Sequence, residues 1–286
     1  MKKISSLEEY KTILKEGRLR CKGGFNNIYL GMEAVSRYLS LGRIYYELND
    51  NSLILYTDEE VYYRIYLLCS LHGSLRISAQ DKPILNRNIY IDSDKSDSLI
   101  QIEDMLRQQG FELYDQSVQA LAKPLEMEET VRTKYDASMA FLKRIPIDIV
   151  YANEKQLDEI ISLRNAEPLL KPYHFSYQTR EEMLRDIEKG FYKCAINAKG
   201  EICAAQHYTV ENGTIQGDWR AVKEEYKVKY GIGTAMAYHS FLYAIDRKIS
   251  NFYGWIVRDN VQSLKYHEAI GYTIGNKFAD EWLLTV

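Results

Sequence analysis

Two short turns between residues 191 and 222 constrain the fold more than any other feature of this sequence. Lys199-Gly200 and Asn212-Gly213 suit tight hairpins, because glycine adopts a positive φ without steric cost. They separate three runs with the composition of β-strands, at 191–197, 202–210 and 214–222. The pattern predicts three consecutive antiparallel strands.

Helical segments flank these strands on both sides. A short apolar run at 147–151 predicts a strand, after which Asn153 can cap a helix that continues to about residue 164. Thr179 can cap a second helix over 180–189, which ends before Gly190. Downstream, the pattern predicts a largely buried helix, a strand, a helix and a final strand, at 234–247, 251–257, 260–270 and 273–285.

The N-terminal half shows a weaker version of the same order. Residues 107–114 resemble residues 268–275, since in both segments a helix ends at a glycine and an aromatic residue starts the next strand. This similarity suggests an internal repeat. The other predictions for this half are helices near 6–16, 26–41 and 97–109 and strands near 43–48, 52–57 and 61–68.

Length and pattern together predict two domains. The chain has 286 residues, whereas a single hydrophobic core stops growing near ~250 residues. The charged segment 121–144 shows little strand pattern and predicts a connecting arm that is partly helical. We therefore expect a smaller N-terminal α/β domain at 1–125, an arm at 126–146 and a second domain at 147–286. The predicted class is α/β (α+β), with a mixed, mostly antiparallel sheet flanked by helices.

The charge balance and the rarer residues exclude several classes of partner. The 37 basic and 40 acidic residues give a net charge of -3, which disfavours nucleic acid and anionic membranes as partners. The N-terminus lacks the apolar core of a signal peptide and no run reaches ~18 apolar residues, so we expect a cytoplasmic protein. The four cysteines are expected to be reduced, and the five scattered histidines predict no metal site.

A glycine turn, Gly231-Ile232-Gly233, lies between a predicted strand and the start of a helix. Such a turn leaves backbone N–H groups unpaired at the positive end of the helix dipole, where phosphate binds well. Alternatively, the glycines only let the strand and the helix pack closely. The glycine pair alone does not decide between these interpretations.

A more specific pattern follows downstream. Asn260 is followed by a small residue, Ser263, at plus three, by His267 at plus seven, and by Gly271-Tyr272 at plus eleven. Together with the upstream glycine turn, this order and spacing resemble the GNAT N-acetyltransferase family. The N-terminal half is similar only to a degenerate GNAT-like domain.

The resemblance covers residues 147–286 and implies a GNAT fold that uses acetyl-CoA as co-substrate and needs no metal. It implies that the pantetheine arm lies between the strands at 214–222 and 251–257, with the pyrophosphate on the glycine turn. The family has Gln or Arg where this chain has Val228, and Lys227 and Lys229 would supply a cation beside it. The expected cofactor-binding residues are Val222, Val228, Lys229, Tyr230, Gly231, Ile232, Gly233, Thr234, Asn260 and Ser263.

The resemblance also implies catalytic groups. The residue at plus seven, often tyrosine in the family, can protonate the departing thiolate; here it is His267, with Tyr266 beside it. A group near the thioester must accept a proton from the amine. Asp218 is the first choice for this base, and His207 and Glu224 are alternatives.

The acceptor remains open at this point. In the family the segment that corresponds to residues 165–178 lines the acceptor site, and its mixture of aromatic and charged residues fits a small-molecule or peptide amine without selecting one. The oligomeric state is also open, a homodimer included. Two other functions stay as alternatives: an aminoacyl-tRNA-dependent amino-acid transferase of tandem GNAT-like type, and a non-catalytic GNAT-like binding protein.

Overall fold

The computed structural model describes residues 1–21, 24–73, 75–78, 80–92, 95–167, 178–227 and 231–285. The chain divides into two compact units. The first unit comprises Met1–Ser117 and Asn276–Val286, and the second unit comprises Val118–Gly275.

The chain contains both strands and helices, with runs of consecutive strands over residues 44–91 and 192–222. In chain order they are β1 (Lys2–Lys3), α1 (Leu7–Arg20), β2 (Phe25–Asn26), α2 (Met32–Leu41), β3 (Ile44–Leu48), β4 (Ser52–Asp58), β5 (Tyr63–Cys69), β6 (Ile84–Ile91), α3 (Asp97–Gln108), β7 (Glu112–Ala122), α4 (Glu128–Leu142), β8 (Ile147–Tyr151), α5 (Leu157–Ala166), α6 (Arg180–Glu188), β9 (Tyr192–Asn197), β10 (Ile202–Glu211), β11 (Thr214–Val222), α7 (Ile232–Asp246), β12 (Asn251–Val257), α8 (Val261–Ala269) and β13 (Thr273–Leu284).

In the first unit the strand order is β1-β3-β4-β5-β6-β13. Neighbouring strands are antiparallel except β5 and β6, which are parallel. Successive residues of β4 face opposite sides of the sheet. Leu53 packs with Ile13 of α1, and Ile54 packs with Leu106 of α3. Helices therefore cover both faces of this strand.

The last strand of the chain belongs to the first unit. β13 pairs antiparallel with β6, from Lys277 opposite Ile91 to Leu284 opposite Ile84. Residues 276–286, which the sequence assigns to the second domain, thus form part of the compact first unit. β13 joins the first unit because it pairs with β6, which is distant in sequence. A local sequence pattern cannot predict such a pairing.

In the second unit the strand order is β12-β11-β10-β9-β8. β11 and β12 are parallel, and the other neighbouring pairs are antiparallel. One face of the sheet packs against α5 and α6 through residues such as Ile160 and Met183. The opposite face packs against α7 and α4, with Phe241 and Val131 in one apolar cluster.

Local signals placed the elements of the second unit correctly. The Asn153 side chain caps the first helical turn, and Thr179 forms a capping box with Glu182 at the start of α6. The turn between β10 and β11 has positive φ at both Asn212 and Gly213, 49° and 70°. The three predicted antiparallel strands are confirmed.

One prediction for the first unit was wrong, and the strand β6 was missed. The helix expected over 26–41 begins only at Met32, because residues 25 and 26 pair with β5 as a short strand. β6 was not predicted at all. Its sequence is interrupted by Asn86 and Asn88, both fully buried, so that the apolar pattern of a strand is missing.

The expected connecting arm is mainly the helix α4. Its residues Val131 and Leu142 are buried against α7, beside Phe241 and Met236 respectively. The segment therefore packs as part of the second unit, whereas the sequence predicted a partly helical linker.

The architecture is a mixed α/β fold in which mostly antiparallel sheets are flanked by helices, as predicted. Among the described residues, no helix combines the length and apolar character that a bilayer crossing requires. All four cysteines are buried free thiols, as expected.

Candidate functional site

The two parallel strands of the second unit separate along their length. Their pairing begins with Thr214 opposite Asn251 and ends with Gly217 opposite Gly254. β11 then continues to Val222 and β12 to Val257 without further pairing between them in the described chain. Backbone N–H and C=O groups on these edges are consequently available to a ligand with amide groups of its own.

A β-bulge on β11 lies where the separation starts. Trp219 is opposite His207 of β10 and Gly217 is opposite Tyr208, which leaves Asp218 as an extra residue. A bulge bends its strand and redirects the side chain of the extra residue. The bulge thus places Asp218, a predicted site residue, next to the point where the two strands separate.

The glycine turn forms the N-terminus of α7, as predicted. Gly231 is the N-cap residue in the left-handed region, with φ 61°, and no side chain of the described residues caps the helix there. A Cβ atom at Gly231 would meet only open space. Ile232 is buried in the core, and Thr234 is half-buried in the first turn. In the part of the chain that the structure describes, the N–H groups of this first turn therefore have no side-chain acceptor at the positive end of the helix.

Three predicted cofactor residues, Val228, Lys229 and Tyr230, lie outside the described residues. Val222 is half-buried at the end of β11. Lys227, expected to supply a cation, already forms ion pairs with Glu167 at 3.2 Å and with Glu224 at 3.1 Å. Its charge is thus partly compensated.

A different cation lies beside the glycine turn. Arg220 of β11 donates a hydrogen bond from Nη1 to the carbonyl oxygen of Gly233 at 3.0 Å. Its guanidinium carbon lies 4.8 Å from the ring centroid of Tyr266 on α8. No carboxylate within salt-bridge distance of Arg220 is found among the described residues. The guanidinium and the helix N-terminus are both positive and lie close together, so this arrangement favours the binding of an anion.

Asn260 and Ser263 organise the start of α8. The Asn260 side chain caps the helix by accepting a hydrogen bond from the Ser263 amide at 2.9 Å. The Ser263 carbonyl in turn lies 2.7 Å from Nδ1 of His267. The structure thus brings these three predicted residues together on one side of the helix.

His267 is held as a neutral imidazole. Burial lowers its pKa to about 4, a hydrogen bond to the Ser263 carbonyl opposes the shift, and the nearby Arg220 guanidinium favours it. The contact with the Ser263 carbonyl places the proton of the neutral ring on Nδ1. Near pH 7 the other nitrogen, Nε2, is then a hydrogen-bond acceptor, which argues against the expected role of His267 as a proton donor.

Tyr266 is better placed to donate a proton. Its hydroxyl is buried and has no hydrogen-bond partner among the described residues. The same hydroxyl would lie 3.8 Å from a Cβ atom built on Gly233. A buried hydroxyl without a partner is energetically costly unless a ligand or water satisfies it.

Asp218 is hydrogen-bonded to two neighbours. Its Oδ2 lies 2.8 Å from Nδ1 of His207, and its Oδ1 accepts a hydrogen bond from Gln216 at 3.0 Å. His207 is buried, and its Nε2 lies 3.4 Å from Asp186 of α6. Asp186 and Arg220 were not found from the sequence, because contacts between distant elements leave no spacing signal. The third expected base, Glu224, is exposed and paired with Lys227.

Other expectations concern metals and the acceptor. Within the described residues there is no group of three or more His, Cys, Asp or Glu side chains that could hold a metal ion. Most of the loop expected to line the acceptor site, residues 168–177, lies outside the described residues.

Comparison with solved structures identifies the fold. A Drosophila protein matches with a TM-score of 0.56 at 12% identity, over 98% of this chain and 97% of its own. An acetyltransferase of the GNAT family from Colwellia psychrerythraea matches with a TM-score of 0.50 at 11% identity, over 99% of each chain. A tandem GNAT protein from the clavulanic acid biosynthesis pathway matches with a TM-score of 0.50 at 10% identity, over 82% of this chain and 79% of that protein.

No protein-family model and no curated protein sequence matches the chain. At these low identities the structural similarity establishes the fold and not the substrate. The fold of this chain is that of the GNAT acetyltransferases.

Proposed function

We propose that this protein is an acyl-CoA-dependent N-acyltransferase that transfers an acetyl group directly to an amine. The observation that carries the proposal is the coincidence of three features in the second unit. The parallel strands separate after Gly217 and Gly254, the bulge at Asp218 lies at that point, and α7 begins with a glycine turn that no described side chain caps.

The residues at this place fit the parts of acetyl-CoA. The amides of the pantetheine arm match the free strand edges beyond Gly217, and the pyrophosphate matches the N-terminus of α7. Arg220 adds a cation at the first turn of that helix. The buried hydroxyl of Tyr266 gains a partner when a ligand lies between α7 and α8.

Two groups serve the reaction in this proposal. Bound acetyl-CoA supplies the activated acyl group and the thiolate leaving group. Tyr266 donates a proton to the departing sulfur, in preference to the neutral His267. Asp218 accepts a proton from the attacking amine, because its carboxylate lies at the bulge and is partly exposed.

The first unit has a supporting role in the proposal. Its parallel strands β5 and β6 also separate, but no helix lies between them in the described residues 70–73, 75–78 and 80–83. It therefore lacks the helix N-terminus that would hold a pyrophosphate. We infer a degenerate GNAT-like unit that stabilises the protein without binding acyl-CoA.

Two measurements test the proposed function. Acetyl-CoA at ~1,000 times its Kd should stabilise the protein by about 4 kcal/mol, which is readable as a thermal shift. Primary amines should then release free thiol from acetyl-CoA in the presence of the protein. The absence of both effects at millimolar acetyl-CoA would contradict the proposal and favour the aminoacyl-tRNA-dependent or non-catalytic alternative.

A further inference from the structure

A lysine lies in the core of the second unit, under the helix α7. Lys193 of β9 is 0% exposed. Its Nζ donates hydrogen bonds to the carbonyl oxygen of His239 at 3.2 Å and to Oγ of Ser240 at 3.4 Å, both on α7. In the part of the chain that the structure describes, no carboxylate lies within salt-bridge distance of Lys193. The amine is therefore enclosed without a counter-ion.

The hydrogen bonds around Nζ fit an amine with two hydrogens. Oγ of Ser240 donates its own hydrogen to the Met236 carbonyl at 3.1 Å and accepts one from Gln206 at 3.0 Å. It can therefore only accept from Lys193, as the His239 carbonyl does. An ammonium group carries a third hydrogen, and this one has no oxygen or nitrogen acceptor among the described residues.

Three tyrosine rings surround the same nitrogen. Nζ of Lys193 lies 5.0 Å from the ring centroid of Tyr208 and 5.3 Å from those of Tyr151 and Tyr243. The face of an aromatic ring attracts a cation, but this attraction is modest. An ion that is buried without a counter-ion loses most of its favourable hydration, which is a larger effect. The rings alone therefore do not keep Lys193 charged.

The nearby basic groups do not help Lys193 to hold a charge. The guanidinium carbon of Arg247, at the end of α7, lies 3.8 Å from the centroid of the Tyr243 ring. Burial lowers the pKa of His239 to about 3, so its imidazole is neutral near pH 7. Burial also lowers the pKa of Lys193 well below its ordinary value, and the charge of Arg247 adds to this shift.

The remaining titratable groups beside Lys193 are tyrosines and one exposed carboxylate. Burial raises the pKa values of Tyr135 on α4, Tyr151 on β8 and Tyr208 on β10, so these hydroxyls stay neutral. Asp246 in the last turn of α7 is 61% exposed and pairs with Arg132 of α4 at 3.5 Å. None of these groups supplies the missing counter-ion.

We infer that Lys193 is a pH-sensitive device in the core of the second unit: the folded chain holds it as an uncharged amine, and a proton taken up at lower pH opposes the packing of α7 on β9 and β10. The proton comes from solvent and binds to the lone pair of Nζ. This device goes beyond the proposed function, because it acts on the folding of α7. The glycine turn forms the start of the same helix.

The direction of the pH effect follows from the lowered pKa of Lys193. Between that pKa and the ordinary ~10.4 of a lysine, the unfolded chain binds a proton at Lys193 that the folded chain does not bind. Folding is therefore favoured as the pH rises through this window and opposed as the pH falls. Each pH unit in the window changes the ratio of folded to unfolded protein about 10-fold through this one group.

Denaturant unfolding of the full chain at about pH 8 and about pH 9 tests the inference, with Lys193→Met as the variant. Between these two values the folding equilibrium constant of the parent should rise about 10-fold more than that of Lys193→Met, because every other titratable group is the same in both proteins. Lys199→Met is the matched control. Lys199 is exposed in the turn between β9 and β10, so the pH dependence of this variant should equal that of the parent.

Two further measurements examine the amine and the helix separately. NMR of the lysine side chains needs no variant: in the folded parent one of them should titrate well below ~10.4. Hydrogen exchange locates the effect. As the pH falls, the amides of α7 should lose protection in the parent relative to Lys193→Met.

An equal change of the folding constants of the parent and Lys193→Met with pH overturns the inference. Titration of every lysine of the folded parent near ~10.4 also overturns it, and this result decides if Lys193→Met does not fold. Equal protection of α7 in the two proteins overturns the part played by this helix. Failure of the parent to bind acetyl-CoA would contradict the proposed function and leave this inference intact.

Discussion

Both units of this chain contain a pair of parallel strands that separate. Among the described residues, another segment of the chain bridges the gap between the strands in the first unit only. In the first unit the pairing of β5 and β6 ends at Ile65 and Asn86. There β2 pairs with the end of β5, and Asn27 hydrogen-bonds to the backbone of Leu67 and to Asn88 of β6. In the second unit no described segment bridges β11 and β12 in this way.

The helices that follow these strand pairs also differ. When the two helix-ending glycines, Gly110 and Gly271, are superposed in sequence, Met105 corresponds to Tyr266 and Leu106 to His267. Leu106 is fully buried in the apolar core of the first unit, with Met105 packed beside it. The corresponding helix positions therefore hold apolar core side chains in the first unit and polar side chains in the second unit. This difference is the reason that we propose the ligand site in the second unit and not in the first.

The largest expected effect comes from the glycine turn. Gly233→Trp should weaken acetyl-CoA binding by at least about 100-fold, because the new side chain would occupy the space beside Arg220 and Tyr266. Gly31→Trp, at the exposed N-cap of α2 in the first unit, is the matched control and should leave the affinity unchanged. Titration calorimetry measures both. Equal affinities of a folded Gly233→Trp variant and the parent would exclude this site.

The next effect concerns the proton donor. Tyr266→Phe should lower turnover about 100-fold with acetyl-CoA affinity almost unchanged, because only the buried hydroxyl is lost. His267→Ala should cost only a few-fold, since the neutral ring offers no proton on Nε2. Turnover and affinity are compared for both variants. A large loss in His267→Ala alone would return the acid role to His267.

Arg220 should contribute to affinity and hardly to chemistry. Arg220→Ala should weaken acetyl-CoA binding about 10-fold, or ~1.4 kcal/mol, by removing a charge-assisted contact at the start of α7. Arg220→Lys keeps the charge and should recover part of the loss. Dissociation constants at two salt concentrations check this, because added salt should narrow the difference between Arg220→Ala and the parent. Identical affinities would remove Arg220 from the site.

The smallest effect on ligand binding is expected in the first unit. Asn27→Ala should destabilise the protein by ~2 kcal/mol through the loss of several buried hydrogen bonds, and acetyl-CoA affinity should not change. Asn26→Ala alters an exposed neighbour and should cost less than ~0.5 kcal/mol. Denaturant unfolding measures both variants. If Asn27→Ala gained a second acetyl-CoA site, the contacts of Asn27 between β5 and β6 would be the sole reason that the first unit does not bind acetyl-CoA.

The second unit was predictable where local chemistry fixes its structure. Asn153 and Thr179 cap helices, and Asn212-Gly213 closes a hairpin, because each of these residue types satisfies a backbone requirement within a few positions. The glycine turn and Asn260 were found for the same reason. The spacing of residues on α8 indicated a GNAT fold, and the structure confirms that fold.

The remaining features depend on contacts that the sequence does not encode locally. β6 was missed because its residues Asn86 and Asn88 are buried and polar: Asn86 donates a hydrogen bond to the carbonyl of Ile65 on β5, and Asn88 accepts one from Asn27. Asp186 of α6 and His207 of β10 meet only in the folded chain, as do Arg220 of β11 and Gly233 of α7. Predicting these contacts requires the tertiary structure.

Hydrogen exchange with and without acetyl-CoA tests the central claim most directly, because it reports both units of the unmodified protein in one experiment. Our account predicts slower exchange in residues 214–222 and 251–257 and in the first turn of α7, with no change in β5 and β6. Slower exchange in β5 and β6, or no change anywhere at saturating acetyl-CoA, would contradict it.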